Sequence, residues 1–264
     1  MDTGTDGVRA IGDAFNLLFD LVRKLRGPDG CPWDREQTPN SMKQSLVEEV
    51  YECIDAIENG DDQNLLEELG DLYLIVTMIA FMKQQDGSFL LSAVFSVITQ
   101  KLIRRHPHVF GNAKVTNSHE VIKQWEKIKH EVEGKPKDIL SSIPNSLPSL
   151  ERAYKIQRKA ANVGFDWPDL ESVWKKITEE VEEIERSKSY EDLKEELGDL
   201  LFSVVNYCRR VAVNPDEALR NANKKFLRRF RYIENCMEKM GKSPSAEEFE
   251  LMDQLWEKAK SAEL

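Results

Sequence analysis

The stretch LLEELGDL at residues 65–72 returns as LKEELGDL at residues 193–200, with seven of the eight positions identical. In each copy, two glutamates, a glycine and an aspartate come just before an apolar run. Such close self-similarity at a distance of 128 residues indicates an internal duplication. The chain is therefore predicted to contain two related units.

The duplication extends well beyond this octet, because three further landmarks recur in the same order. They are EEVYE (48–52) with EEVEE (179–183), KLIRR (101–105) with KFLRR (225–229), and QWEKIK (124–129) with LWEKAK (255–260). Taken in chain order with the octet, the four pairs lie 131, 128, 124 and 131 residues apart. Only small insertions separate the copies, so each is one unit of four or five helices.

Helical periodicity dominates both copies, and we find no alternating runs of Val, Ile and Thr bounded by turn dipeptides. The predicted fold class is all-α, made of tandem duplicated helical units. The helices are predicted near residues 9–26, 40–58, 63–85, 88–105 and 118–133, and again near residues 149–161, 169–187, 190–212, 215–240 and 246–261.

The stretch GKPKDILSSIPNSLPS at residues 134–149 separates the two sets of helices. Its three prolines and four serines break helical periodicity, which is typical of a linker. We therefore predict an N-terminal domain at residues 1–133, a linker at residues 134–148 and a C-terminal domain at residues 149–264.

The composition is acidic, with 47 Asp and Glu against 37 Lys and Arg and a net charge of -10. Nucleic acid and anionic membranes are therefore not predicted as partners, whereas a divalent cation suits the chain. The four cysteines match no zinc spacing and no dense disulfide framework, which favours reduced thiols. The N-terminus does not resemble a secretory signal, and the longest apolar run, residues 72–82, is too short to span a membrane. We predict a cytoplasmic protein.

Four carboxylates in each unit are predicted to point the same way. The EEVYE and EEVEE helices each carry two glutamates along one flank of an apolar stripe about 100° wide. The following helix of each unit adds an acidic pair at i, i+3 spacing. The residues are Glu49, Glu52, Glu68 and Asp71 in the N-terminal unit, and Glu180, Glu183, Glu196 and Asp199 in the C-terminal unit.

The segments after Asp71 and Asp199 are nearly apolar all round, which predicts that they are buried. Gly70 and Gly198 each cost about 1 kcal/mol relative to alanine inside a helix, which suggests that a neighbouring helix approaches closely there. Such an approach would bring four carboxylates together, and these need neutralisation. Hard oxygen donors in that number suit Mg²⁺ or Mn²⁺ better than zinc.

Two other interpretations of the acidic motifs are available. The glutamates can be solvated helix faces stabilised by partners such as Lys194. A di-iron bundle would use Glu-x-x-His motifs, and neither Glu-x-x-Asp copy has the histidine. Because two sets lie on matching flanks, we favour a metal site.

These motifs resemble those of the MazG-type nucleoside triphosphate pyrophosphohydrolases, in which EExxE is followed by ExxD. The resemblance to two-repeat bacterial members covers almost the whole chain, including GCPWDREQT (30–38), RRHPHVFG (104–111), ANVGFDW (161–167) and KFLRRF (225–230). It implies an all-α homodimer built from helical bundles. It also implies Mg²⁺-dependent hydrolysis of NTPs and dNTPs between the α and β phosphates.

The same resemblance implies roles for individual residues. The eight carboxylates become metal ligands, and the C-terminal unit is the one expected to carry the main activity. A set of basic and aromatic residues becomes the candidate nucleotide-binding group, with Trp256 equally open to a role as a core anchor. Its members are Lys176, Lys225, Arg228, Arg229 and Trp256.

Some assignments stay open at this point. Glu179 and Glu195 adjoin the ligand set, but Glu179 is turned away on the wheel, so no general base is assigned. His106 and His108 flank Pro107 and are interpreted as turn residues in preference to metal ligands. The alternative function is a non-catalytic helical protein that senses nucleotides or binds a partner and uses the acids structurally.

Overall fold

The computed structural model describes residues 5–131 and 138–262, and every regular element within them is helical, which confirms the all-α prediction. The predicted helices appear with ends shifted by about four residues or fewer; the predicted end at residue 133 and the first residues of the predicted linker lie outside the described residues. Two short helices, Pro32–Glu36 and Pro107–Phe110, were not predicted. Across the described ranges, no helix is both long and apolar enough to cross a membrane.

The chain divides into two compact units, Met1–Gly134 (unit 1) and Lys135–Leu264 (unit 2). The helices of unit 1 are α1 (Thr5–Leu25), α2 (Pro32–Glu36), α3 (Lys43–Asn59), α4 (Asp62–Gln85), α5 (Leu91–Arg105), α6 (Pro107–Phe110) and α7 (Ser118–Glu131). The helices of unit 2 are α8 (Ser149–Asn162), α9 (Leu170–Arg186), α10 (Tyr190–Arg210), α11 (Pro215–Lys239) and α12 (Phe249–Ser261), with a 3-10 turn at Ala246–Glu248 before α12.

The core of unit 1 lies where α1 and the start of α3 meet the second half of α4. Its buried side chains are Val22, Met42, Ile75, Met78, Phe81 and Met82. Phe19 packs edge-on against Phe81, with ring centroids 5.7 Å apart. Apolar burial here stabilises the α3–α4 pair that carries the acidic motif.

Two packing contacts in unit 2 are described by their buried side chains. One cluster joins α11 to α12 through Ile233, Met237 and Leu255. Between α8 and α10, the buried Gln157 donates a hydrogen bond from Nε2 to the carbonyl oxygen of Phe202 at 2.8 Å. The amide thus fixes α8 against the helix that carries Glu196 and Asp199.

Short connections and side-chain caps make each acidic pair of helices a hairpin. Gly60 ends α3 in the left-handed conformation, with φ of 65°, and Asp61 caps α4 by accepting a hydrogen bond from the amide of Asn64 at 3.0 Å. In unit 2, Ser189 caps α10 in the same way through the amide of Asp192 at 3.1 Å. Antiparallel neighbours joined by so few residues must pack side by side.

The expectation that the segments after Asp71 and Asp199 are buried is only half right. Both helices bury one face, but Tyr73 and Val76 are exposed in α4, and Leu201 and Val204 are exposed in α10. The neighbouring helices of each unit cover only one face of α4 and of α10, so the apolar side chains of the other face stay exposed. The two exposed pairs are equivalent positions of the repeat, 128 residues apart.

The packing explanation for the two motif glycines is also wrong within the chain. A Cβ atom added to Gly70 or Gly198 would meet no other atom within 4 Å among the described residues. The helices of each hairpin therefore close without needing glycine at this position.

Candidate metal centres

The α3–α4 hairpin of unit 1 places its four acids opposite one another. Glu49 lies 11 residues before Gly60 and Asp71 lies 11 after it, while Glu52 and Glu68 each lie eight residues away. In an antiparallel hairpin, residues equally distant from the turn lie at the same height. Oxygen atoms of Glu49, Glu68 and Asp71 accordingly lie within 4.8 Å of one another.

Burial and electrostatic repulsion both act on the acids of the unit 1 cluster. Partial removal from water, followed by the charges of Glu52 and Asp71, raises the pKa of Glu49. The pKa of Glu68 is also raised, first by removal from water and then by neighbouring carboxylates, while a hydrogen bond with Asn64 opposes the change. Among the described residues, no lysine or arginine forms an ion pair with these acids. The cluster lacks a counter-charge of its own.

Unit 2 repeats the cluster on α9 and α10. Oxygen atoms of Glu180, Glu183 and Glu196 lie within 4.8 Å of one another. Removal from water and the charges of Glu183, Glu180 and Asp199 together raise the pKa of Glu196. Asp199 therefore lies near the cluster but outside its tightest three members.

Glu180 is the most unusual residue of this cluster, because only 2% of its surface is exposed. Its Oε1 atom is paired with an ammonium group, but its Oε2 atom is buried and has no hydrogen-bond partner among the residues that the structure describes. An unsatisfied buried carboxylate oxygen is costly, so this atom calls for a cation or donor beyond those that the described residues provide.

Lys176 supplies the one ammonium group seen at this cluster within the described ranges. Its Nζ atom lies 2.8 Å from Glu180 Oε1, 2.9 Å from Glu179 Oε1 and 3.9 Å from Glu183 Oε2. The hydrogen bonds to Glu180 and Glu179 raise the pKa of the ammonium group, which is charged at neutral pH. Glu179 thus binds Lys176 at the surface and lies outside the three-residue group.

The solvated-face interpretation does not fit these pairings. Lys194, the partner that it proposed, lies 4.0 Å from Glu191 instead of contacting a cluster acid.

Sequence reasoning missed two neighbours of the unit 1 cluster, Asn64 and Cys53. Asn64 precedes Glu68 by four residues, a spacing that indicates contact on a helix. Cys53 is buried beside Glu49 and Glu52, and no polar signal marked it.

Four of the proposed nucleotide-binding residues lie on α11 and α12, whereas the acids lie on α9 and α10. Lys225 and Arg228 are exposed and form no ion pair within the described residues. The guanidinium carbon of Arg229 lies 5.5 Å from the centre of the Trp256 ring, a cation–π arrangement. Trp256 also packs against the buried α11–α12 cluster, and its ring centroid lies 5.1 Å from that of Phe226. It therefore anchors the core.

The equivalent surface of unit 1 contains histidine. His106 occupies the junction between α5 and α6, where its Nδ1 donates to the carbonyl oxygen of Leu102 at 2.7 Å, and its ring lies 5.2 Å from Trp125. His108 Nδ1 lies 2.9 Å from Gln124 Oε1. Neither histidine joins a group of three potential ligands among the described residues. His106 lies at the junction as predicted, whereas His108 lies within α6 and is not a turn residue.

Two other sequence motifs position the helices of these centres. In ANVGFDW, Asp166 accepts hydrogen bonds from Arg209 at 3.1 and 2.5 Å, which ties the start of α9 to the end of α10. In GCPWDREQT, a Cβ atom on Gly30 would collide with the backbone carbonyls of Lys24 and Leu25. Only glycine allows this close approach to the end of α1.

Two segments of the chain, residues 37–110 and 169–233, match the family model of the MazG nucleotide pyrophosphohydrolase domain. Each segment contains one complete set of four acids. The chain belongs to the MazG family. Its fold class and both acidic hairpins are thus those of a MazG protein that carries the domain twice.

Curated MazG relatives are similar over nearly their whole length. A Thermotoga maritima protein named nucleoside triphosphate pyrophosphohydrolase/pyrophosphatase MazG is 43% identical over 257 residues, which cover 97% of this chain and 99% of the relative. An Escherichia coli K12 protein named nucleoside triphosphate pyrophosphohydrolase is 42% identical, with 94% and 97% covered. The crystal structure of a mazG-related protein from Thermotoga maritima is 27% identical over 44% of this chain and 99% of its own, with a TM-score of 0.39.

Proposed function

We propose that this MazG protein hydrolyses nucleoside triphosphates between the α and β phosphates, releasing a nucleoside monophosphate and pyrophosphate. The names of its full-length relatives support the reaction class. The observation that carries the proposal is the buried, unpaired Oε2 atom of Glu180 beside the oxygens of Glu183 and Glu196. A triphosphate needs cationic neutralisation, and this oxygen set is suited to hold the cation.

The cation is proposed to be Mg²⁺, with Mn²⁺ as a substitute. All donors in the cluster are carboxylate oxygens, which magnesium prefers. The cluster has none of the nitrogen or sulfur donors that are typical of zinc sites. Glu180, Glu183, Glu196 and Asp199 would hold it. When bound, Mg²⁺ neutralises phosphate charge and increases the acidity of the attacking water.

Several basic side chains would orient the triphosphate. Lys176 lies next to the metal ligands, and Lys225, Arg228 and Arg229 offer further positive charge on α11. Charge-assisted hydrogen bonds from these groups would hold the non-bridging phosphate oxygens and so fix the orientation of the scissile bond. The exposed part of Trp256 would accept a base by stacking, which does not discriminate strongly between bases.

We assign the main activity to the C-terminal domain, residues 149–264, and interpret residues 1–133 as a second MazG-type repeat joined by the linker at 134–148. Both repeats retain four acids, but in the part of the chain that the structure describes only the unit 2 cluster pairs its acids with a lysine. The unit 1 set, Glu49, Glu52, Glu68 and Asp71, is proposed to hold metal also.

We propose that the chain forms a homodimer, in which the partner covers the exposed apolar side chains that α4 and α10 each carry. Tyr73 and Val76 in unit 1 match Leu201 and Val204 in unit 2, and all four are at least 41% exposed. The open space beside Gly70 and Gly198 would admit another helix at close range. A second copy of the chain presents the same stripes and suits this surface. Sedimentation velocity at micromolar concentration tests the assembly, and a monomer would contradict it.

The activity is tested by incubating the full chain with Mg²⁺ and each of the eight common NTPs and dNTPs. Pyrophosphate and the monophosphate are the expected products, and orthophosphate is not expected. Absence of pyrophosphate with every nucleotide would overturn the proposal. Nucleotide binding without turnover would instead support a nucleotide-sensing protein.

A further inference from the structure

The two acidic clusters differ in one feature that bears on metal loading. In unit 2, Lys176 lies one helical turn before Glu180, and its ammonium group is 2.8 Å from Glu180 Oε1. The position 131 residues earlier is Ser45, which lies one turn before Glu49. Ser45 has no positive charge, so the unit 1 cluster lacks this counter-ion.

The ammonium group of Lys176 lies beside the carboxylates that would attract a metal ion. It contacts one oxygen of a carboxylate that is 3% exposed and also approaches Glu183 at 3.9 Å. A divalent cation entering this cluster must compete with a positive charge a few ångströms away. The Lys176 side chain itself is 31% exposed, so it can leave the cluster towards solvent without rearrangement of the helix.

We propose that Lys176 is a displaceable internal counter-ion that couples metal loading of the unit 2 cluster to triphosphate binding. The coupling rests on the proposed function, because phosphate oxygens are the anions that draw the ammonium group away from Glu180. Without nucleotide, Lys176 neutralises part of the cluster and weakens metal binding. With nucleotide, the same lysine pairs with phosphate and leaves both Glu180 oxygens available. The unit 1 cluster, with Ser45, binds a divalent cation without this requirement.

The proposal predicts opposite effects of Lys176→Met on two ligands measured separately. Lys176→Met should bind Mn²⁺ alone at the unit 2 cluster about tenfold more tightly than its parent, equivalent to about 1.4 kcal/mol. Binding is measured by calorimetry and by the electron paramagnetic resonance signal of free Mn²⁺. A nucleoside α,β-methylene triphosphate, titrated in EDTA, should bind Lys176→Met more weakly than it binds the parent protein. Both titrations use the full chain with Glu49→Gln and Glu68→Gln, which silence the unit 1 cluster. A general loss of structure would weaken both ligands.

The matched control is Lys175→Met, because Lys175 is exposed and contacts Glu171 instead of the cluster. It should leave both affinities unchanged. The reciprocal variant Ser45→Lys, made with Glu180→Gln and Glu196→Gln, should weaken Mn²⁺ binding to the unit 1 cluster by a similar factor. It tests the same electrostatic effect if Lys176→Met fails to fold.

An unchanged or weakened Mn²⁺ affinity in Lys176→Met would overturn the proposal, as would Mn²⁺ affinity in Ser45→Lys equal to that of its parent. Absence of Mn²⁺ binding to the unit 2 cluster in both the parent and Lys176→Met would overturn it too. Pyrophosphate release in the wild-type protein judges the proposed function independently, because neither Mn²⁺ titration involves turnover.

Discussion

Glu180→Gln separates the metal-binding role of the unit 2 cluster from its contribution to stability. The amide has nearly the same shape as the carboxylate, and its oxygen can still accept the hydrogen bond from Lys176. It removes one full charge from a side chain that is 2% exposed. We expect turnover to collapse while the metal-free fold persists.

The interactions of Glu180 nearly balance in the metal-free protein. At an effective dielectric constant of about 20, opposite charges at the 2.8 Å of the Lys176 pair attract by about 6 kcal/mol. Like charges no more than 4.8 Å apart, as between Glu180 and both Glu183 and Glu196, repel by at least about 3.5 kcal/mol for each neighbour. The repulsion of about 7 kcal/mol that is relieved slightly exceeds the attraction of about 6 kcal/mol that is lost, so the free energy of unfolding without metal should change by only about 1 kcal/mol.

With Mg²⁺ the balance changes, because the substitution removes a proposed ligand. Loss of residues that merely support a metal ligand costs about 10- to 100-fold, so loss of Glu180 should reduce kcat/KM at least about 100-fold. The assay is pyrophosphate release, with urea unfolding in EDTA as the measure of stability. Glu49→Gln is the matched variant in unit 1 and should keep most activity, as should the exposed Glu182→Gln.

Substantial turnover by Glu180→Gln would refute the assignment of this residue as a ligand. Equal losses in Glu180→Gln and Glu49→Gln would refute the assignment of the main activity to unit 2. Unfolding of Glu180→Gln in EDTA would show that the electrostatic balance was misjudged.

Three further outcomes are expected. Millimolar Mg²⁺ should raise the melting temperature, because it binds the crowded carboxylates of the folded state, and an unchanged melting curve would count against preformed centres. Lys225→Met and Arg228→Met should raise KM for every nucleotide while the melting temperature stays constant, since neither side chain forms an ion pair within the described residues; equal KM values would remove both from the binding site. Burial alone would raise the pKa of Asp166, but the hydrogen bonds from Arg209 and the Trp167 amide, together with the charges of Arg209 and Arg210, lower it overall. These contacts therefore stabilise the fold above the ordinary aspartate pKa of about 4, and this stability is lost as pH falls through the lowered value. Asp166→Asn should cost about 1–2 kcal/mol at neutral pH, measured by urea unfolding, and should show a flatter acid limb than wild type.

The sequence by itself determined the all-α class, the longer helices and the eight candidate ligands. Helical periodicity is a local property, and the short turn at Gly60 places Glu49 level with Asp71 without further information. Duplication strengthened the inference, because two copies preserved the same flank of the helix.

Only the tertiary structure decided which of these groups are buried, paired or left without a partner. The wheel places Glu180 and Glu183 on the same flank, but packing against the rest of unit 2 buries Glu180 and leaves its Oε2 atom unpaired. The same packing directs Lys176 into the cluster, whereas Gly70 faces open space. Burial and pairing depend on contacts between segments distant in the chain, and local periodicity carries no information about those contacts.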